Sequence, residues 1–445
     1  MIYRARRPLF FAIVTPLSYQ TVTFGKLNRK RNMNKRKFFR AALGYCLLLP
    51  LASCSEDEEI IVPPDPVSYT TLVYMAADNS MDSEVDYTIS QLRQGARRSA
   101  GTAVVYVDRK GETPRLFSIT QQGGEVPLKS YAEENSANPE TLARVISEAK
   151  ELVPSDRFGL VLWSHSMGWL PGGYDSDLVP QGTRGNAVDG FPRTRYIGID
   201  NHPGNDSSSG VMEIDALADA LPDDVAEYIW FDVCLMGCIE GLYEMRNKAD
   251  YLIASPTEVL AEADYDASDI PYAKVLPYLF GGVEDLEQAC VAYYGHYNSM
   301  GHDILRSATI ALVDAAELGG LFTATRNVLQ GRLHDMEALD TSVLQAYHTD
   351  NVPNVFFDMG DIVHTVVGGR TDEFDAQLRR TVVYKAATPQ FINKLSISQE
   401  HFSGLSMYVP LSRWKGNCEY SYYFNNSHRQ VRSATPPPPS SVLGA

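Results

Sequence analysis

The sequence predicts an α/β fold in which a mostly parallel sheet lies between two layers of helices. Two observations carry this. Short apolar runs without polar alternation read as strands buried on both faces, and longer helix-like stretches alternate with them. The strand-like runs fall at 70–76, 103–107, 158–163, 228–233, 251–254 and 309–313. Between them lie helix-like stretches at 82–98, 139–152, 213–221, 236–248 and 315–336. Beyond about residue 340 the pattern loosens, and 405–409 is one further strand. This predicts a smaller C-terminal α+β subdomain. About 360 residues from Val67 to Asn426 are enough for one large core or two modest ones. No internal repeat of 20–50 residues interrupts them. Pro436–Pro439 and two serines mark 427–445 as a disordered tail.

The chain begins differently. Its first 53 residues hold eleven Lys or Arg and no acidic residue. Met33-Asn34-Lys35-Arg36-Lys37 precedes an apolar stretch from Phe38 to Leu51, and then comes Leu51-Ala52-Ser53-Cys54. Basic, apolar and small-residue segments in that order form a signal peptide. The apolar stretch is shorter than the roughly 20 residues of a membrane span. Met33 is therefore the expected start of a signal over 33–53, with 1–32 an upstream extension. Leu51–Cys54 resembles the bacterial lipobox, which implies lipidation at Cys54. Ser55-Glu56-Asp57-Glu58-Glu59 follows at once and resembles the surface-export signal of Bacteroidetes lipoproteins, implying the outer face of the outer membrane. Residues 54–67, ending in a proline-rich run, are read as a tether. The core is expected over 68–340 and the smaller subdomain over 341–426.

Without the leader, 28 of the 39 basic residues remain against 55 acidic ones, a net of −27. That balance argues against nucleic acid and anionic lipid as partners and suits a basic peptide. Membrane attachment is expected through the lipid alone. Cys234, Cys238, Cys290 and Cys418 are too sparse for a disulfide framework, and no Cys/His spacing reads as a zinc site.

Two strand-like runs end in reactive residues: Val161-Leu162-Trp163-Ser164-His165 and Trp230-Phe231-Asp232-Val233-Cys234. Ligands of open α/β sheets bind beyond the carboxyl ends of such strands. A thiol there and a histidine on a second strand are the parts of a nucleophile and its base. A helix expected from Met236 places a positive dipole end near the sulfur, and alternation places Asp232 on the sulfur's face of its strand. Asp232 there suits a cationic substrate group, or serves only as a helix cap. The backbone N–H groups from Ser166 to Gly168 are candidate oxyanion donors. Each residue also has a plain reading as a packed cysteine or a satisfied histidine. The stretch 170–212, rich in glycine and proline, breaks the alternation and is expected to fold over the site. Ser164-His165-Ser166-Met167-Gly168 also nearly matches the nucleophile elbow of serine hydrolases, with Ser166 as nucleophile. Against that, the first glycine is missing and Pro171-Gly172-Gly173 follows in place of a helix.

Tyr74-Met75-Ala76-Ala77-Asp78-Asn79, Leu162-Trp163-Ser164-His165 with Gly168-Trp169, Asp232-Val233-Cys234-Leu235-Met236-Gly237 and Ala254-Ser255-Pro256-Thr257-Glu258 together resemble the clostripain family of cysteine peptidases. The resemblance runs from about Thr70 to Tyr272 and more weakly to Tyr423. It implies a caspase-like three-layer αβα sandwich and a catalytic dyad of His165 and Cys234. It also implies an acidic substrate contact at Asp232 for Arg or Lys before the cleaved bond, with Glu258 as a second contact and Trp169 beside the turn. Self-cleavage after Arg184, Arg193 or Arg195 is implied as well. Calcium is allowed as a cofactor, although no loop carries convincing ligand spacing. The family's glycine after the histidine is replaced by Ser166, which suggests impaired activity if that turn needs a positive φ. A catalytically silent binding module on the same fold is the alternative.

Overall fold

The structure is a computed structural model that describes residues 67–169, 197–201, 210–260, 270–348 and 354–409. The signal region, the tether up to residue 66 with Cys54, most of 170–212 with its three arginines, and the tail lie outside the described residues. Five strands come first: β1 (Thr70–Ala77), β2 (Thr102–Arg109), β3 (Arg115–Ile119), β4 (Glu125–Ser130) and β5 (Phe158–Trp163). A small antiparallel pair follows, β6 (Ile197–Ile199) with β7 (Val211–Met212). Then come β8 (Ala226–Asp232), β9 (Ala249–Ala254), β10 (Thr309–Asp314), β11 (Phe357–Asp358) and β12 (Val382–Ala387).

Nine of these form one sheet in the order β12-β10-β9-β8-β5-β1-β2-β3-β4. The four central pairings, from β9 to β2, are parallel. Antiparallel pairs close both edges, so only β3 and β10 run against the rest. β1 and β5 are buried along their whole length, as strands covered on both faces must be. β4 is the opposite, half-buried to exposed and carrying Pro127, as edge strands do.

Alternation along the central strands builds two cores. Leu72, Tyr74, Leu160, Leu162, Ile229 and Phe231 face a layer that includes the helix Pro139–Leu152, through Leu142, Val145, Ile146 and Ala149. That helix starts where the sequence says it should. Asn138 accepts hydrogen bonds from the N–H groups of Glu140 and Thr141, and Pro139 occupies the first turn. Val73, Met75, Val161, Trp163, Tyr228 and Trp230 face the other layer, which includes the helices Val85–Ala96 and Val283–Asn298. The result is the three-layer αβα sandwich.

Several elements differ from expectation. The stretch 82–98 divides into a 3-10 turn, Ser80–Glu84, and the helix Val85–Ala96. The stretch 315–336 breaks after Leu329, where Gly331 takes a φ of +81°. The hairpin β3–β4 and the helix Val283–Asn298 carried no signal that was read. Of 405–409 only Ser406–Met407 is a strand, and it pairs with β11 outside the main sheet. The segment expected as a smaller subdomain packed on the main sheet contributes β12, which is an edge strand of that sheet. Among the described residues no helix is long and apolar enough to cross a membrane.

Candidate active site

Trp163 and Asp232 are register partners across the parallel pair β5–β8. His165 and Cys234 each lie two residues farther on. Both therefore leave the carboxyl edge of the sheet at one level, on strands about 4.8 Å apart. The two exits touch. A Cβ on Gly168 would stand 2.5 Å from the Leu235 carbonyl oxygen, and Gly168 has a φ of +59°. Only glycine fits there.

The turn after His165 is closed by Ser166, whose Oγ accepts the Gly168 N–H at 3.0 Å. Ser166 is fully buried, and the left-handed residue of the turn is Gly168, not Ser166. Serine in the place of the family's glycine is thus free of the backbone strain that the sequence suggested. Full burial and the bond that holds its hydroxyl in the turn disfavour Ser166 as a serine nucleophile. His165 is 7% exposed, and burial pushes its imidazole down to about 4. At neutral pH it is an uncharged base. Its Nε2 lies 2.8 Å from Ser80 Oγ, and its carbonyl accepts the Gly198 N–H at 3.0 Å.

Main-chain bonds hold the loop after β8. Leu235 N–H donates to the Thr257 carbonyl at 2.9 Å and Gly237 N–H to that of Ser255 at 2.7 Å. Ser406 N–H donates to the Gly237 carbonyl at 2.7 Å. Leu235, directly after the cysteine, has a φ of +60°, which is uncommon for a branched side chain and marks local strain. Cys234 Sγ accepts the Val259 N–H at 3.3 Å and approaches the Val259 carbonyl at 3.8 Å. The thiol is therefore covered by the main chain of the segment that follows β9.

Two expectations about this loop need correction. The helix starts at Ile239, with Cys238 as its N-cap, and runs only to Glu244. It is too short and too far along the chain to supply a dipole at the Cys234 sulfur. Cys238 is fully buried core, and burial pushes its thiol up. Nor do Asp232 and Cys234 share a face. β8 ends at Asp232, so alternation stops before the cysteine, and Cys234 packs in the core opposite to that of Trp230 and Tyr272.

Asp232 is 2% exposed, and burial raises its carboxyl to about 8 despite the opposing pull of Tyr272 and the Ile270 backbone. The Tyr272 hydroxyl donates to Oδ2 at 2.8 Å. Glu258 is buried next to Val259. Trp169 packs edge-on against Tyr408 and at a tilt on Phe356, which ties the turn after His165 to the C-terminal segment. Ser80, Tyr272 and Val259 were not singled out in the sequence. Ser80 directly follows the Tyr74–Asn79 motif and was within reach. Tyr272 and Val259 come from sequence-distant loops that only the fold brings in. Among the described residues no group of three or more His, Cys, Asp or Glu side chains is placed to hold a metal.

A mostly parallel sheet between two helical layers, with a histidine and a cysteine just past the ends of two neighbouring parallel strands, matches the architecture of the caspase-like class of cysteine peptidases. The sequence model of the Clostripain family matches residues 73–372, and the chain belongs to that family. Solved structures agree. The inactive zymogen of a C11 protease from Parabacteroides distasonis is 28% identical, with a TM-score of 0.66 over 83% of this chain and 99% of that one. A secreted C11 cysteine protease from Bacteroides thetaiotaomicron, in complex with an irreversible peptide inhibitor, is 26% identical, with a TM-score of 0.63 over the same shares. No curated protein matches in sequence.

Proposed function

We propose that this cysteine protease is a surface lipoprotein endopeptidase that cleaves after Arg or Lys, with Cys234 as nucleophile and His165 as its base. The observation that carries the reading is the shared register of the two residues past the Trp163–Asp232 pair. His165 takes the thiol proton, the thiolate attacks the scissile carbonyl, and the imidazolium then protonates the leaving amine as the thioester forms. Water releases the acid product in a second step. The backbone N–H of Ser166 is the proposed oxyanion donor.

Asp232 is the proposed acidic contact for the basic side chain, with Glu258 beside it and Trp169 shaping the wall. A guanidinium or ammonium arriving at Asp232 stabilises its ionised form and draws off the proton that burial favours. The Val259 main chain at the sulfur favours a latent resting state, released by cleavage within 170–212. The lipobox and the acidic run after Cys54 support anchoring on the cell surface.

Arg- and Lys-based fluorogenic peptides, offered before and after brief trypsin nicking, test the peptidase. Turnover that disappears in Cys234→Ala and persists in Ser166→Ala supports it. No turnover from either preparation, together with no iodoacetamide labelling of Cys234, leaves the silent binding module standing. Radiolabelled palmitate incorporated by the wild type and lost in Cys54→Ala tests the anchor.

A further inference from the structure

We propose that Ser80 is the positioning residue of the dyad: its hydroxyl accepts the Nε2 proton of His165 and so leaves the Nδ1 lone pair to receive the Cys234 proton. The inference rests on the dyad reading and adds a third residue to it. A neutral imidazole carries one N–H, and the hydrogen bond made by one nitrogen decides the role of the other. Burial keeps His165 neutral, and Ser80 Oγ is 2.8 Å from Nε2. A hydroxyl fixes the ring without placing a charge on it, so the base stays free at low pH. On attack the S–H proton moves to Nδ1. The resulting imidazolium keeps its Nε2–H on Ser80, and the Nδ1 proton later leaves on the amine.

Ser80 is held where this needs it. It opens the 3-10 turn Ser80–Glu84, whose N-cap Asn79 accepts the Met81 N–H at 2.8 Å. Asn79 Nδ2 donates to the Ala76 carbonyl at 2.8 Å and to the Ile199 carbonyl at 2.9 Å. Ser164 Oγ donates to the same Ala76 carbonyl at 2.7 Å and accepts the Ile199 N–H at 3.2 Å. The turn bearing Ser80 is thus bound to the end of β1 and to the residues after β5 and in β6, the elements that precede and follow His165. Ser80 itself is exposed and fills no core. Its removal therefore leaves packing intact.

The test compares wild type, S80A, S80T, S80D and H165A between pH 4 and 9. The readouts are the rate of Cys234 alkylation by iodoacetamide and the turnover of Arg and Lys peptides. S80A is expected to lower kcat and the alkylation rate about 10- to 100-fold, at the lower end of what a positioned base contributes. KM and the melting temperature should stay put, and S80T should restore most of the rate. S80D places a carboxylate on Nε2 and should move the acid limb up by roughly one pH unit or more. Wild-type rates in S80A while H165A is dead would overturn the role of Ser80 and spare the dyad. Equal losses in S80A and S80T with lowered melting temperatures would reduce Ser80 to a structural prop and overturn it too. Wild-type alkylation in H165A would overturn the dyad and Ser80 together.

Discussion

The histidine end and the cysteine end of the site are held by different means. Around His165 most of the bonds come from side chains: Ser80 on the ring, with Asn79 and Ser164 tying its turn to the strands, beside one main-chain bond from the Gly198 N–H to the His165 carbonyl. Around Cys234 they come from main chain: Leu235 to Thr257, Gly237 to Ser255, Ser406 to Gly237, and Val259 to the sulfur. Backbone bonds do not depend on residue type unless a substitution blocks the approach itself. The histidine end should therefore respond to polar substitutions, and the cysteine end to bulk at its glycines.

Chemistry gives the largest effects. Cys234→Ala should lower kcat by about 10⁴-fold or more, and His165→Ala by roughly 10²- to 10⁴-fold, read on basic fluorogenic peptides. Equal losses at Ser166→Ala would break the comparison in favour of a serine nucleophile. Next comes Gly237→Ala. Its Cβ would stand 2.5 Å from Pro256 N and 2.7 Å from Ser255 C. Forcing that contact should destabilise by about 1–3 kcal/mol, seen as a lower melting temperature. An unchanged melting temperature would show that the main-chain end is looser than its bonds indicate.

Asp232→Asn separates binding from stability. KM for Arg and Lys peptides should rise while small-probe alkylation of Cys234 stays close to wild type. Stability should move the other way at high pH. The folded carboxyl titrates near 8 against an ordinary value of 3.8. Between those values the folded state binds the extra proton, so wild-type stability falls as pH rises through that window. Asparagine removes the dependence, and the variant should melt higher than wild type at pH 8 with little difference at pH 4. The smallest effect concerns His165. With its imidazole near 4, the alkylation rate should hold down to about pH 5 and fall below it, as protonation removes the base. A midpoint near the ordinary 6.5 would mean that solvent reaches the ring.

The centre of the fold was legible because β1, β5 and β8 are buried on both faces and so carry uninterrupted apolar runs. The helix Pro139–Leu152 was legible to the residue through its apolar spacing. The edges were not. β4 is mostly exposed and β12 alternates irregularly, so neither has a run to read. At the site, motif order singled out His165, Cys234 and Asp232. Their surroundings stayed hidden, since Tyr272 lies 40 residues from Asp232 in the chain and meets it only through the fold. The misplaced helix has a similar cause. Met236 to Cys238 look helical in composition, yet the left-handed Leu235, the bond from the Gly237 N–H to Ser255 and that from the Ser406 N–H to the Gly237 carbonyl delay the helix to Ile239.

The hydrogen bond from Ser406 to Gly237 also sets an order of events. A polypeptide emerges N-terminus first, and both reactive residues are out long before Ser406, Tyr408 and β12. Until then the loop after Cys234 lacks its Ser406 partner, Glu240 lacks the Tyr408 N–H that it accepts at 3.0 Å, and one edge of the sheet is unpaired. The loop after Cys234 is thus among the last parts of the domain to gain all its partners. A chain cut short before Ser406 therefore lacks the bond that fixes the loop after Cys234.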